Sequence, residues 1–437
     1  MKRLCAPLIV ALLLVNCSGA EELSTAHRFN ITSVDGVTVA TTTGGPKYAG
    51  DLFTYEKVME IWPDTSKAGS FLIDPGYMTM DRDGNIYILD IADNRIAVYD
   101  PDGSYLRSIG QQGHGPGDIY YPRNMFIHDD LLYVNHMPSA ATLSIFRLDG
   151  SFVDSFMELT VERRERLGGS RPTLYRTSDG KMIVHMYHQR DGGHQVAFEV
   201  TSTIHSAGGD SLSGISSGPI PAVEVEEWDI NGRSSFRTLD IHMTGFPWIL
   251  YRPDQWLVST DGIEPTISFY DLTGELKRTI VLEIPSEEIT PEELSDLRAA
   301  YQVRVESAES SYGSSDGRTQ WARFARNNFV YADPKAYWYG MYIDSNDYVW
   351  LQIPDIGGRV PHQNHQHSYR VLSPEGEYLG DTLWPVSLQP AGIGPEIVDD
   401  LLLTIVVDEE TEERVPTMYR IIPIARDLDF PVSENRN

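Results

Sequence analysis

Cysteine is almost missing from this sequence: 437 residues hold two, Cys5 and Cys17, both near the N-terminus. Everything after them is therefore without disulfides or thiolate metal sites, and its stability has to come from packing. Long apolar runs are equally scarce. The stretch from Ala6 to Val15 is broken by Pro7 and falls short of the roughly 20 apolar residues a bilayer requires. Positive charge is sparse too, with 35 Lys and Arg against 63 Asp and Glu and a formal net charge of −28. A surface of that sign repels phosphate backbones, so nucleic acid is excluded as a partner. No Gly-x-Ser-x-Gly elbow occurs. The glycine-rich run Gly113-His114-Gly115-Pro116-Gly117 is not followed by Lys-Ser/Thr, so it reads as a turn between repeats and not as a phosphate loop.

The N-terminus has the pattern of an export signal. Lys2 and Arg3 precede the apolar stretch, and small residues follow it. Leu14-Val15-Asn16-Cys17 resembles a bacterial lipobox, with Cys17 as the lipidated residue, although Asn16 stands where Gly, Ala or Ser is usual. Cleavage after Ala20 is the alternative. With Ser18 behind the cysteine, the expectation is an outer-membrane lipoprotein facing periplasm or cell surface, touching the membrane only through its lipid. A soluble periplasmic or secreted protein is the other reading.

What the sequence has in quantity is repetition. One unit recurs: an alternating apolar strand, an Asp-Gly type turn, a second strand, a short link, a third strand, another turn and a fourth strand. Its clearest copy runs from Tyr77 to Gly110, with turns at Asp83-Gly84 and Asp102-Gly103. Further copies start near Asn124, Leu174, Trp256, Tyr342 and Leu401. A four-stranded sheet with two apolar faces cannot be buried alone, and radial stacking of six gives an all-β six-bladed propeller. The sixth unit lacks a fourth strand, while Tyr55 to Trp62 reads as a fourth strand that precedes its own unit. It is expected to close the last blade. A seventh blade built around Ile31 to Thr43 is the alternative. The expected divisions are a signal peptide over 1–20, a linker with N-terminal strands over 21–50, the propeller over 51–425 and a tail over 426–437.

The Tyr77–Gly110 unit, followed by Gly110 to Asp118 and Tyr121-Pro122, resembles NHL repeats. It resembles in particular the six-bladed propeller lipoproteins of bacterial envelopes within the TolB-like superfamily. That resemblance implies a fold and no single activity, and it makes the turn residues Asp93, Asn94 and Arg95 structural.

Insertions account for the remaining length. Ser202 to Gly218 is Ser/Gly-rich and predicts a flexible loop. A helical insertion is expected at about 285–306, capped by Thr290 with Pro291 first and Glu293 completing a capping box. Glu306 to Thr319 reads as polar and mobile, and Trp321 to Tyr342 as an aromatic segment packing the excursion back.

Aligning the second strands puts Asp90, Asn135, His136 and His185 near one end of the channel, as candidate lining residues. His136 and His185 are candidate metal ligands, as are His362, His365 and His367 in a His-rich tract, with His188 and His194 on the same rim. A zinc site needs three ligands held together, and the aligned positions elsewhere carry Ser, Thr, Gln and Ile. The sequence therefore calls for no cofactor, with zinc or calcium as the alternative. No catalytic residue can be named. The expected function is a binding module for a protein, peptide or glycan of the envelope. A metal-dependent lyase or lactone hydrolase at the channel is one alternative, and a scaffold or sensor in an envelope complex another.

Overall fold

The structure, a computed structural model, describes residues 26–64, 66–67, 69–137, 141–157, 173–191, 196–206, 210–220, 225–230, 233–238, 241–242, 246–354, 366–387, 396–408, 411 and 413–431. The leader, Cys17, His194, His362 and His365 lie outside them. No helix among the described residues is long and apolar enough to cross a membrane.

Each repeat folds into one antiparallel sheet. Blade one is Pro75–Met80, Ile86–Asp90, Arg95–Tyr99 and Tyr105–Ile109, and blade two is Asn124–His128, Leu131–His136, Thr142–Arg147 and Phe152–Met157. Blade three is Thr173–Arg176, Met182–Asp191, Val196–His205 and Ser211–Ile220. Blade four is Trp248–Arg252, Trp256–Thr260, Thr266–Tyr270 and Leu276–Glu283; blade five is Gly340–Ile343, Val349–Gln352, Gln366–Leu372 and Tyr378–Ser387. Blade six joins Glu396–Val398, Leu401–Val407 and Arg414–Pro423 to Phe53–Glu60 from the other end of the chain. The result is a six-bladed β-propeller whose N-terminal strand closes the last blade.

The turns explain why this unit repeats. Asp81 accepts the backbone N–H groups of Asp83 and Asn85 on one oxygen and the Tyr87 hydroxyl on the other. Blade five repeats the device, with Asp344 accepting from Asn346 N, Tyr348 N and the Trp350 indole. The outer turns also pack against the preceding blade. Gly376 (φ 89°) lies where a Cβ would come 2.7 Å from Ile280, so glycine serves both the turn and the close approach.

Successive strands are antiparallel, so the ring has two unlike faces. Inner and outer hairpin turns occupy one face, here called the turn face. Links between second and third strands and between blades occupy the other, the loop face.

The N-terminal segment is no seventh blade. Arg28–Val34 and Val37–Thr43 form a hairpin whose second strand runs parallel to Leu276–Glu283, widening blade four to six strands. The chain then crosses the edge of blade five, where Lys47 N and Tyr48 N donate to Tyr378 O and Leu379 O, and enters blade six. It thus straps three consecutive blades.

Other expectations also change. Ser202 to Gly218 is no loop: it holds the third and fourth strands of blade three, in register from Phe198↔Ile220 to His205↔Ser211. Serine and glycine serve there because pairing decides the backbone, and propensity is a weak constraint on a strand. His188 lies within the strand Met182–Asp191, opposite Glu199, and not in a loop. The helix predicted at about 285–306 is Pro291–Tyr312, with the Thr290/Glu293 capping box formed. Glu306 to Thr319 continues that helix and begins a second, Gly317–Asn328, N-capped by Asp316. Leu297 and Tyr301 of the first helix pack on Trp321 and Ala325 of the second. The hairpin Val225–Ile230/Arg233–Thr238 was not legible as strands.

Candidate functional site

The residues expected at the channel sit on second strands, one layer out from the innermost strand, and all four are buried. Asp90 is fully buried and accepts from Ile73 N at 2.9 Å and Asp74 N at 3.0 Å, with the Arg95 guanidinium at 3.6 Å. Asn135 exchanges two hydrogen bonds with the backbone of Leu174, tying blade two to the inner strand of blade three. His136 accepts from Tyr120 N on Nδ1 at 3.3 Å, which leaves Nε2–H to donate to Ser144 Oγ at 2.8 Å. His185 Nδ1 meets Ser202 Oγ at 2.8 Å. Burial pushes both imidazoles down to about 4, so they stay neutral at physiological pH. Asn135 thus ties two blades together, while Asp90 and His136 hold the links that lead into their own blades. His367 is buried on the strand Gln366–Leu372.

A different cluster sits at the turn-face end of the channel. His128 is the last residue of blade two's inner strand, and Asp129 opens the turn that follows it. Asp254 lies in the corresponding turn of blade four. His128 Nε2 is 2.8 Å from Asp254 Oδ2 and 3.6 Å from Asp129 Oδ2. The other Asp254 oxygen accepts Ser178 N of blade three at 2.9 Å, so one carboxylate spans three blades. Burial pushes the Asp254 carboxyl up, but the bonds from His128 and Ser178 outweigh it and hold it below its ordinary value. Above the cluster the inner strands are aromatic: Phe126 and Tyr175 lie 5.6 Å apart between ring centroids, and Tyr175 and Tyr251 5.1 Å. Aligning second strands missed these residues. Aligning the ends of first strands would have put His128, Arg176 and Arg252 in equivalent places.

Between blades six and one, Glu396 accepts from Thr79 Oγ1 at 3.0 Å, and burial pushes its carboxyl up to about 7. The sign follows from proton uptake. Between pH 4.5 and 7 the folded chain holds a proton that the unfolded chain releases, so stability falls as pH rises through that window. Glu396→Gln keeps the Thr79 partner and removes the buried charge. It should raise stability above pH 7 by about 1–2 kcal/mol, after allowing for solvent screening. Urea midpoints at pH 5 and pH 8 check this, and an equal gain at both would refute it.

On the loop face, three large apolar side chains stand out: Phe71 and Ile73 are each 60% exposed and Tyr121 64%. Their backbones are pinned to a single stretch of blade one. Phe71 O accepts from the Arg95 guanidinium, Ile73 N donates to Asp90, and Tyr121 N donates to Asn94 Oδ1 at 2.8 Å. Tyr120 packs edge-on to Tyr121 at 4.5 Å, and His114 lies 4.6 Å from Tyr120. The matching cleft beside blade five offers less. Its two cations are committed, Arg370 to Glu287 at 2.8 Å and Lys335 to Glu287 and Glu293 at 3.2 and 2.9 Å.

Comparison with known proteins bears on the blades. A family described as a 6-bladed beta-propeller, DUF5128, matches residues 69–156. These are the first two blades. No curated protein matches the sequence. Among solved structures, a Bacteroides fragilis NCTC 9343 protein is 11% identical, with 85% of this chain and 96% of that one covered and a TM-score of 0.45. A streptogramin B lyase is 11% identical over 85% and 98%, with a TM-score of 0.39. A duf4221 family member from Bacteroides vulgatus is 10% identical over 85% and 99%, with a TM-score of 0.38.

Proposed function

We propose that this propeller is a binding module of the cell envelope, exported and held at the outer membrane through Cys17, which takes a protein, peptide or glycan partner on its loop face. The observation that carries the reading is the platform of Phe71, Ile73 and Tyr121. Exposed apolar side chains are common singly, but here three stand exposed with their backbones held to one stretch of blade one. Their backbones are already fixed by Arg95, Asp90 and Asn94, so little ordering entropy remains to be lost on binding. Aromatic rings held in this way suit stacking on a sugar face or an apolar peptide side chain.

The experiment uses immobilised glycan and peptide libraries probed with the mature chain and with Phe71→Ser/Tyr121→Ser. Both positions are exposed, so the variant should keep the parent urea midpoint while losing at least roughly tenfold in affinity for any ligand captured, as hot-spot aromatics do. Ligands retained equally by the variant, or none captured, would overturn the reading. In cells, Cys17→Ser should move the protein from the membrane fraction to the soluble one.

A further inference from the structure

The turn-face cluster serves nothing in that reading and lies at the opposite end of the channel. We propose that His128, Asp129 and Asp254 bind a transition-series dication such as Zn2+ or Mn2+, which cross-links the inner turns of blades two and four over blade three.

The donor set and its spacing carry the argument. His128 Nε2, Asp129 Oδ2 and Asp254 Oδ2 come from two blades and lie within 4.8 Å of one another. A tetrahedral zinc with bonds of about 2.0–2.1 Å needs ligand atoms roughly 3.4 Å apart. The His128 edges, 2.8 Å to Asp254 and 3.6 Å to Asp129, bracket that spacing, so small side-chain rotations would open the site. Imidazole with two carboxylates suits zinc or manganese, whereas calcium takes oxygen ligands. Ser178 N on the other Asp254 oxygen orients that carboxylate from outside, as supporting partners do at metal centres. The Asp129 side chain is 60% exposed, which leaves a side open for water to complete the coordination.

One ring nitrogen of His128 can serve one carboxylate, and Nε2 lies 2.8 Å from Asp254 Oδ2. Asp129, at 3.6 Å, is beyond hydrogen-bond reach and has His128 as its one ion-pair partner among the described residues. The arginines at the equivalent strand ends do not serve it: Arg176 is paired with Asp154 at 3.5 Å and stacked on Phe156, and Arg252 is paired with Asp347. A dication balances both carboxylates at once.

The test is equilibrium dialysis of the EDTA-stripped mature chain against Zn2+, Mn2+ and Ca2+, followed by X-ray absorption of the zinc-loaded protein. About one zinc per chain is expected, with manganese competing, calcium failing to compete at tenfold excess, and a coordination shell of one imidazole with oxygen ligands. Asp129→Asn should weaken zinc roughly tenfold or more, the scale of losing a ligand or its support. Asparagine accepts the φ of 49° at this position, so the variant should fold, with an unchanged urea midpoint in EDTA as the check. Zinc raises that midpoint in the parent and much less in the variant. His362→Gln/His365→Gln serves as the control and should leave binding intact. No stoichiometric zinc, binding that survives Asp129→Asn, or a shell of several imidazoles would overturn the proposal.

Discussion

Deleting residues 1–68 should abolish folding, and appending residues 46–64 after Asn437 through a flexible linker of about ten residues should restore it. The strand Phe53–Glu60 is the outer strand of blade six, paired from Phe53↔Pro423 to Glu60↔Thr417. Without it, Arg414–Pro423 becomes a bare edge, and Ile421, Leu402, Trp350 and Trp384 lose cover. Leu52, Phe53 and Ile61 are buried at 1%, 3% and 3% exposure. Each contributes about 1.5–3 kcal/mol by burial, so together they approach the 5–15 kcal/mol by which a whole domain is stable. The transplant should work because the segments at 48–52 and 424–427 already meet. Ile424 N donates to Leu52 O, and the Tyr48 hydroxyl to Asp427 O at 3.3 Å. Soluble yield, circular dichroism and urea unfolding read the outcome. A truncated chain that stays monomeric and unfolds cooperatively at the parent's midpoint would show that closure is dispensable.

Trp350→Ala should cost about 3–5 kcal/mol, the range for removing a buried large aromatic. Trp350 is fully buried where three parts of the chain meet. Its ring lies 5.4 Å from Phe53 of the closing strand, 6.2 Å from Trp384 of its own blade and 6.4 Å from Phe430 of the C-terminal segment. Its indole N–H donates to Asp344 Oδ2 at 2.9 Å. Trp350→Phe separates the two contributions. Burial already pushes the Asp344 carboxyl up to about 6, with the indole and two backbone N–H groups holding it down. Losing the indole raises it further, so the folded chain holds its proton to higher pH and loses stability where Asp344 ionises. The Phe variant should therefore fall short of the parent by more at pH 8 than at pH 5. Urea midpoints at both values decide it, and a gap independent of pH would mean the hydrogen bond contributes nothing.

The blades were legible because their signals are local. Asp-Gly turns at Asp83-Gly84 and Asp102-Gly103 sit between alternating runs, and hairpin pairing follows from residues only a few positions apart. The capping box at Thr290 and Glu293 is local for the same reason. The closing strand could be seen because a missing fourth strand and a surplus first one complete each other. Blade three's outer half was hidden, since Ser202 to Gly218 carries turn-forming residues and only its neighbours make it a strand. The candidate lining residues were read from second strands, and the His128 cluster lies at the ends of first strands. Second-strand positions are the most regularly apolar and the easiest to align; of their polar exceptions, Asn135 ties blade two to blade three, and Asp90 and His136 hold the links into their own blades.

What the sequence determined by itself was the repeat, the place of closure and the start of the helical insertion; six blades against seven was settled by the hairpin Arg28–Thr43. Each of the first three depends on turn chemistry or on period-two burial within a short window. Only the tertiary structure decided that Arg28–Thr43 edges blade four and that Asp254 reaches His128 across 126 positions of chain. The same holds for Phe71, Ile73 and Tyr121 gathering around one stretch of blade one. Ring closure sets those neighbours, and no local preference of the residues encodes which blade a distant segment will meet.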